Sequence, residues 1–217
     1  MLEGLVPVSG KHSIKRVIAT IFIPQAFLKP EDVFEKVKDI ICFKDYQKKT
    51  LLKPTTISIK DNSVLGVSNN TTAGFIFEEF DDKGRLKNIL KLENIRDNQS
   101  VITIENRVYN NWNELREKIV SDIKSISENV HFYIAALSLT YVDEFDWKLT
   151  EQIPVHSIFN KNSELLNNKF FKSKNGTQIL ISQSITNEGY NIEEKTELTF
   201  NNDIKRVALS HQYAIKL

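Results

Sequence analysis

Residues 111–147 read NWNELREKIVSDIKSISENV followed by HFYIAALSLTYVDEFDW, and the change of period between the two halves decides the fold class. In the first half Trp112, Leu115, Ile119, Ile123, Ile126 and Val130 recur at steps of three and four, which predicts an amphipathic helix of about five turns. Asn111 and Glu114 have the spacing of a capping box, with Asn in the place of Ser or Thr. Glu117, Lys118, Asp122 and Lys124 are expected on the outer, solvated face. In the second half the period drops to two. Tyr133, Ala135, Leu137, Leu139, Tyr141, Phe145 and Trp147 share one side, with Ser138, Thr140, Glu144 and Asp146 on the other, predicting a long strand over His131–Trp147.

Outward from this helix–strand unit the pattern is mostly β. Upstream, Val101–Tyr109 alternates as a half-exposed strand after a turn at Asp97. Phe75–Phe80 and Leu86–Leu92 flank the turn chemistry of Asp81-Asp82-Lys83-Gly84 and predict a hairpin. Ile14–Phe27 reads as a central strand. Pro30, Glu31 and Asp32 then start a helix whose stripe is Val33, Phe34, Val37, Ile40 and Ile41. Thr55–Lys60 alternates as a strand, and Asp61–Thr72 is expected to be an exposed loop. Downstream, Lys148–Asn168 is irregular. Phe170–Lys174 and Thr177–Ser184 read as strands around a type I′ turn at Asn175-Gly176, and Lys195–Phe200 and Arg206–Leu217 add two more. Two helices against about nine strands predict an α+β fold: a large, mostly antiparallel sheet with two main helices packed on one face. The expectation is a single domain over 1–217, with 148–168 the one candidate internal boundary.

Composition narrows the class. The chain has 217 residues, one Cys, seven Gly and a formal net charge of +1. A lone Cys42 excludes an internal disulfide and any zinc site with two Cys ligands. Near-cancelling charge argues against a strong non-specific pull toward nucleic acid or an anionic membrane. No apolar run approaches the ~18 residues of a membrane-spanning helix. The start lacks the pattern of a secretory signal. The expectation is a soluble, cytoplasmic protein, in which the sequons at Asn69 and Asn175 carry no meaning.

Signatures of catalysis are sparse. His12, His131, His156 and His211 form no local metal motif, and the scattered glycines form neither a P-loop nor a dinucleotide fingerprint. Cys42, between Ile41 and Phe43, reads as a small core residue. No cofactor is expected. The unusual run is Tyr141-Val142-Asp143-Glu144-Phe145-Asp146-Trp147, three carboxylates among three aromatics, a mixture favoured at protein interfaces. Tyr141, Asp143, Glu144, Asp146 and Trp147 are therefore the candidate protein-binding residues. The competing reading, an enzyme or small-ligand binder built from distant residues, would use Asp143, Glu144, His131 and His156. A third, nucleic-acid binding, would use the basic hairpins that carry Lys48, Lys49, Lys53, Arg85, Lys87, Lys91, Arg107, Lys172 and Lys174.

Gly74-Phe75 with Asp82-Lys83-Gly84, Tyr109 with Trp112, and Leu137–Phe145 form a series, preceded by Gly10-Lys11-His12-Ser13-Ile14. Over roughly residues 10–147 the chain resembles a sporadically distributed, functionally uncharacterised bacterial family with a strand–helix–strand core and a late L-x-Y-[IV]-[ND] strand. Members usually continue into a C-terminal helix, whereas this chain stops at Leu217 in a strand-like run. The patchy distribution of that family implies a phage-defence or toxin–antitoxin setting. The leading expectation is a non-catalytic module that binds another protein encoded nearby.

Overall fold

The computed structural model describes residues 3–10, 12–53, 56–60, 63–68, 72–96, 98–187 and 189–217. The class is α+β with mostly antiparallel strands, as the order of elements predicts. The chain forms two compact units, Met1–Ile18 with Ser138–Lys216, and Ala19–Leu137 with Leu217. The irregular stretch 148–168 lies inside the first. Among the described residues, no helix is long and apolar enough to cross a membrane.

The Ala19–Leu137 unit contains the end of β2 (Ile14–Ile23), α1 (Pro30–Val37), a 3-10 turn (Ile41–Phe43), β3 (Lys48–Leu52), β4 (Thr56–Lys60), β5 (Ser63–Ser68), β6 (Gly74–Phe80), β7 (Leu86–Arg96), β8 (Gln99–Asn106) and α2 (Trp112–Ser127). The strands β8-β7-β6-β3 pair in that order, each pair antiparallel, and β3 is terminal. Alternation puts Phe75, Phe77, Leu90, Leu92, Ile102 and Ile104 on one face, all fully buried. Both helices cover that face. From α1, Phe34 meets the rings of Phe75 and Phe77 edge-on at 5.8 and 5.9 Å. From α2, Asp122 reaches the hydroxyl of Tyr46, whose ring packs 6.1 Å from Phe77. Gly74 is obligatory, because a Cβ there would stand 1.9 Å from the Leu92 carbonyl oxygen across the β6–β7 ladder.

Some local expectations change here. The first helix ends at Val37, and Ile41 is 83% exposed rather than part of its stripe. Along β8 the expected alternation holds at Ile102 and Ile104, which are fully buried, and Thr103 and Glu105, which are partly exposed. The expected loop over 61–72 contains β5, which pairs with β4. Residues 61, 62 and 69–71, with the first sequon, the turn residue Asp97 and Lys11 of the opening motif, lie outside the described residues. The cap of α2 is as read: Asn111 Oδ1 accepts the Glu114 amide at 3.0 Å, and Asn111 Nδ2 donates to Glu114 Oε1 at 2.6 Å. Its buried face is as read at Leu115 and Ile126 but differs at two positions. Asp122 is 2% exposed, whereas Trp112 is 41% exposed.

The other unit contains β1 (Leu5–Pro7), the start of β2, most of β9 (Ala136–Trp147), α3 (Val155–Ile158), α4 (Asn168–Lys172), β10 (Gly176–Asn187), β11 (Tyr190–Asn201) and β12 (Arg206–Lys216). The strand order is β10-β11-β12-β9, with β1 paired to the end of β9. Trp147, Ile153, Val155, Phe170, Phe171, Phe200 and Val207 form its core. The expected strand Phe170–Lys174 is the helix α4. Asn167 Oδ1 caps it by accepting the amides of Lys169 and Phe170, and both phenylalanines point into the core. Hence Asn175-Gly176 is not the turn of a hairpin. It leads into β10, which runs twelve residues and pairs in unbroken register with β11. The long strand β9 begins at Ala136, later than the predicted His131.

Candidate functional site

The aromatic–acidic run 141–147 occupies β9, and strand alternation divides it as its sequence requires. On one side Trp147 is buried with Phe170, Phe171, Phe200 and Val207, and Phe145 packs against the same cluster. The Trp147 indole N–H donates to the Glu151 carbonyl at 3.0 Å. Asp143 belongs to this side. It is half-buried, and among the described residues its Oδ1 has no hydrogen-bond partner. Tyr141 is half-buried and has a partner of its own.

On the other side Glu144 and Asp146 are enclosed by cations. Lys15 Nζ lies 2.5 Å from Glu144 Oε2, Arg206 Nη1 3.5 Å from the same oxygen, and Arg206 Nη2 3.1 Å from Asp146 Oδ1. Lys148 Nζ is 2.9 Å from Asp146 Oδ2. The Lys148 ammonium, and then the Arg206 guanidinium, hold the Asp146 carboxyl below the usual aspartate range. Trp147 is thus spent on the core, while Glu144 and Asp146 are spent on ion pairs within the unit.

The candidates for an assembled catalytic site have separate surroundings. Asp143 and Glu144 face opposite ways on β9. His156 stacks on Phe171 at 5.1 Å, and His131 is exposed and belongs to the other unit. Cys42 has its thiol pushed up by burial, the opposite of an activated nucleophile. Among the described residues no three His, Cys, Asp or Glu groups gather around a common point. Five of the nine basic residues considered for nucleic-acid binding are in ion pairs: Lys48 with Glu78, Arg85 with Asp81, Lys87 with Glu79, Lys91 with Glu93 and Arg107 with Glu105.

Two features of β10–β12 were not among the sequence candidates. The first is a polar row. The Thr196 hydroxyl lies 2.7 Å from His211 Nδ1, and His211 Nε2 lies 3.0 Å from Glu194 Oε1. Glu194 also accepts from Gln183 and Tyr213, and the Gln183 amide first of all holds its carboxyl below the usual glutamate range. With so many donors already aimed at it, Glu194 is a hub that braces three strands.

The second is the free edge. β10 is the terminal strand of its order. The Asn202 amide donates to the Asn175 carbonyl at 2.8 Å, continuing the β10–β11 register one pair outward. In an antiparallel ladder, hydrogen-bonded and non-hydrogen-bonded pairs alternate. Odd residues of β10 therefore bond to β11. Gln178, Leu180, Ser182, Ser184 and Thr186 turn both N–H and C=O away from it, and among the described residues no backbone bond outside the strand ladders uses those groups. Their side chains are all exposed, Leu180 by 64%.

Edge strands are normally protected by Lys, Pro, bulges or shortness. β3, terminal in the other unit, follows that rule with five residues that include Lys48 and Lys49. β10 has none of these protections. It spans GTQILISQSITN without one charge, Pro or register shift, in a chain of which 26% of residues are charged. The uncharged run was visible in the sequence. That it forms an edge follows only from the strand order.

No family model, curated protein or solved structure matches the chain.

Proposed function

We propose that this chain is a non-catalytic protein-binding module, acting in the cytoplasm, which engages a protein partner by adding a strand to the edge of β10. One observation carries the reading: a regular twelve-residue edge whose outward backbone groups from Gln178 to Thr186 have no partner among the described residues and whose sequence lacks charge, Pro and bulge. Main-chain hydrogen bonds of an added strand supply affinity, and alternate side chains supply specificity. Leu180 on one face and Ile185 on the other, 43% exposed, are the apolar contacts such a strand would cover. The run 141–147 then serves as the scaffold behind the edge, its acids neutralised and its tryptophan in the core. The resemblance read from the sequence supports extending the proposal to a bacterial defence or toxin–antitoxin setting, with the partner encoded nearby.

The test compares wild type with Ser184→Pro in binding to the products of neighbouring genes and to itself. Ser184 presents its N–H outward, so proline blocks the edge without removing a bond to β11. Loss of association in the variant supports strand addition, and association at wild-type strength refutes it.

A further inference from the structure

We infer that the strand added to β10 is β10 of a second copy of this chain, paired antiparallel about a two-fold axis at Ser182. This rests on strand addition at β10 as the mode of binding, and it names the partner.

A two-fold axis normal to a sheet keeps each face on its own side, so a strand that pairs with its copy meets residues of its own parity. With the axis at Ser182, Gln178 stands opposite Thr186 of the partner subunit, Leu180 opposite Ser184 of the partner subunit, and Ser182 opposite Ser182 of the partner subunit. These are the residues whose N–H and C=O point outward. Every free backbone group between 178 and 186 thereby finds a complement, and none is left over. An axis one residue earlier, at Ile181, would call on Gly176, whose carbonyl already accepts the Ser173 hydroxyl. On the opposite face, the axis at Ser182 sets Ile179 against Ile185 of the partner subunit. That pairing covers the exposed Ile185 with a β-branched neighbour, a favourable cross-strand pair.

Charge favours a copy of the same chain. In a two-fold pairing an ionised residue on the axis meets its own copy, and β10 carries no charge there or anywhere along its length. The nearest charges are on β11, where Glu193, Lys195 and Glu197 stand opposite Ser184, Ser182 and Leu180. Across the joined sheet they would be three strand spacings, ~14 Å, from the corresponding row of the copy. That exceeds the ~8–10 Å Debye length at ordinary ionic strength, so the repulsion is screened.

Sedimentation equilibrium of the full chain over a dilution series tests this, with circular dichroism and thermal melting as fold controls. Wild type is expected to approach twice the chain mass as concentration rises. Ser182→Pro and Ser182→Lys are expected to remain monomeric with wild-type spectra and melting. Leu180→Lys alone is expected to weaken the dimer. The double variant L180K/S184E is expected to restore it, because each new ammonium faces the new carboxylate of the other chain. A dimer that survives both Ser182 variants belongs to another face and overturns the inference. Failure of L180K/S184E to restore the dimer overturns the axis at Ser182. If wild type stays monomeric while the Ser182 variants lose binding to a purified neighbouring gene product, self-pairing is wrong and strand addition stands. If it stays monomeric and that binding is unchanged, both are wrong.

Discussion

Arg206 of β12 holds Asp146 of β9 through two nitrogens on one oxygen, Nε at 3.2 Å and Nη2 at 3.1 Å from Oδ1. The same guanidinium approaches Glu144, so one cation ties the acids of the aromatic–acidic run to the strand beside it. Replacing Arg206 with Met keeps much of the stem but leaves two carboxylates with Lys15 and Lys148 alone. The expected loss is about 1 kcal/mol in urea unfolding at neutral pH, in the range for a charge-assisted hydrogen bond that is partly solvated. The sign with pH is fixed by Asp146. Its folded pKa is depressed, so its stabilisation is present above the ordinary aspartate value and lost as pH falls through the folded one. The difference between wild type and R206M should therefore shrink in acid.

Trp147 gives a larger effect on the opposite side of the same strand. It packs against Phe170 and Phe200 and donates to the Glu151 carbonyl. Trp147→Ala is expected to cost about 3–5 kcal/mol, as for other large core aromatics. Trp147→Phe should lose less, because the ring volume is mostly kept and only the indole bond goes. Equal stability of W147A and wild type in chemical denaturation would refute the core placement.

Asp122 behaves in the opposite sense to Asp146. Burial raises its carboxyl pKa despite Lys118 at 3.3 Å and the Tyr46 hydroxyl at 3.2 Å. A raised folded pKa means the fold favours the protonated acid, so ionising it costs stability as pH rises through and above the ordinary aspartate value. Asp122→Asn keeps an oxygen acceptor for Tyr46 and removes the charge. It is expected to raise Tm at neutral pH, with the advantage vanishing at pH values where the wild-type acid is protonated.

The contrast between Asp122 and Asn111 shows what could be read from the chain. Asn111 and Glu114 act through local spacing, so the start of α2 was legible. Leu115, Asp122 and Ile126 also share a helical face by spacing, but a charge at the middle position argued for solvent. Lys118, one turn earlier on the same helix, supplies an ion pair, but the Tyr46 hydroxyl that completes the buried site is brought only by tertiary structure. Phe170 and Phe171 misled for a related reason: adjacent aromatics resemble a strand, while the cap at Asn167 that starts α4 is a weaker signal. For the candidate site, the alternation of 141–147 was legible, and so was Lys148 beside it, but the other two cations that neutralise its acids, Lys15 and Arg206, come from β2 and β12, distant in sequence. The lack of charge in 176–187 was visible as well. It acquires meaning only when the strand order leaves that segment without a second neighbour.

Strand addition at β10 is tested most directly by residue-resolved amide hydrogen exchange as a function of concentration. The expected result is that Gln178, Leu180, Ser182, Ser184 and Thr186 exchange rapidly in dilute solution and become protected as concentration rises. Ile179, Ile181, Gln183 and Ile185, already bonded to β11, should be protected throughout. Rapid exchange of the even-numbered amides at every concentration, with or without a purified neighbouring gene product, would contradict it.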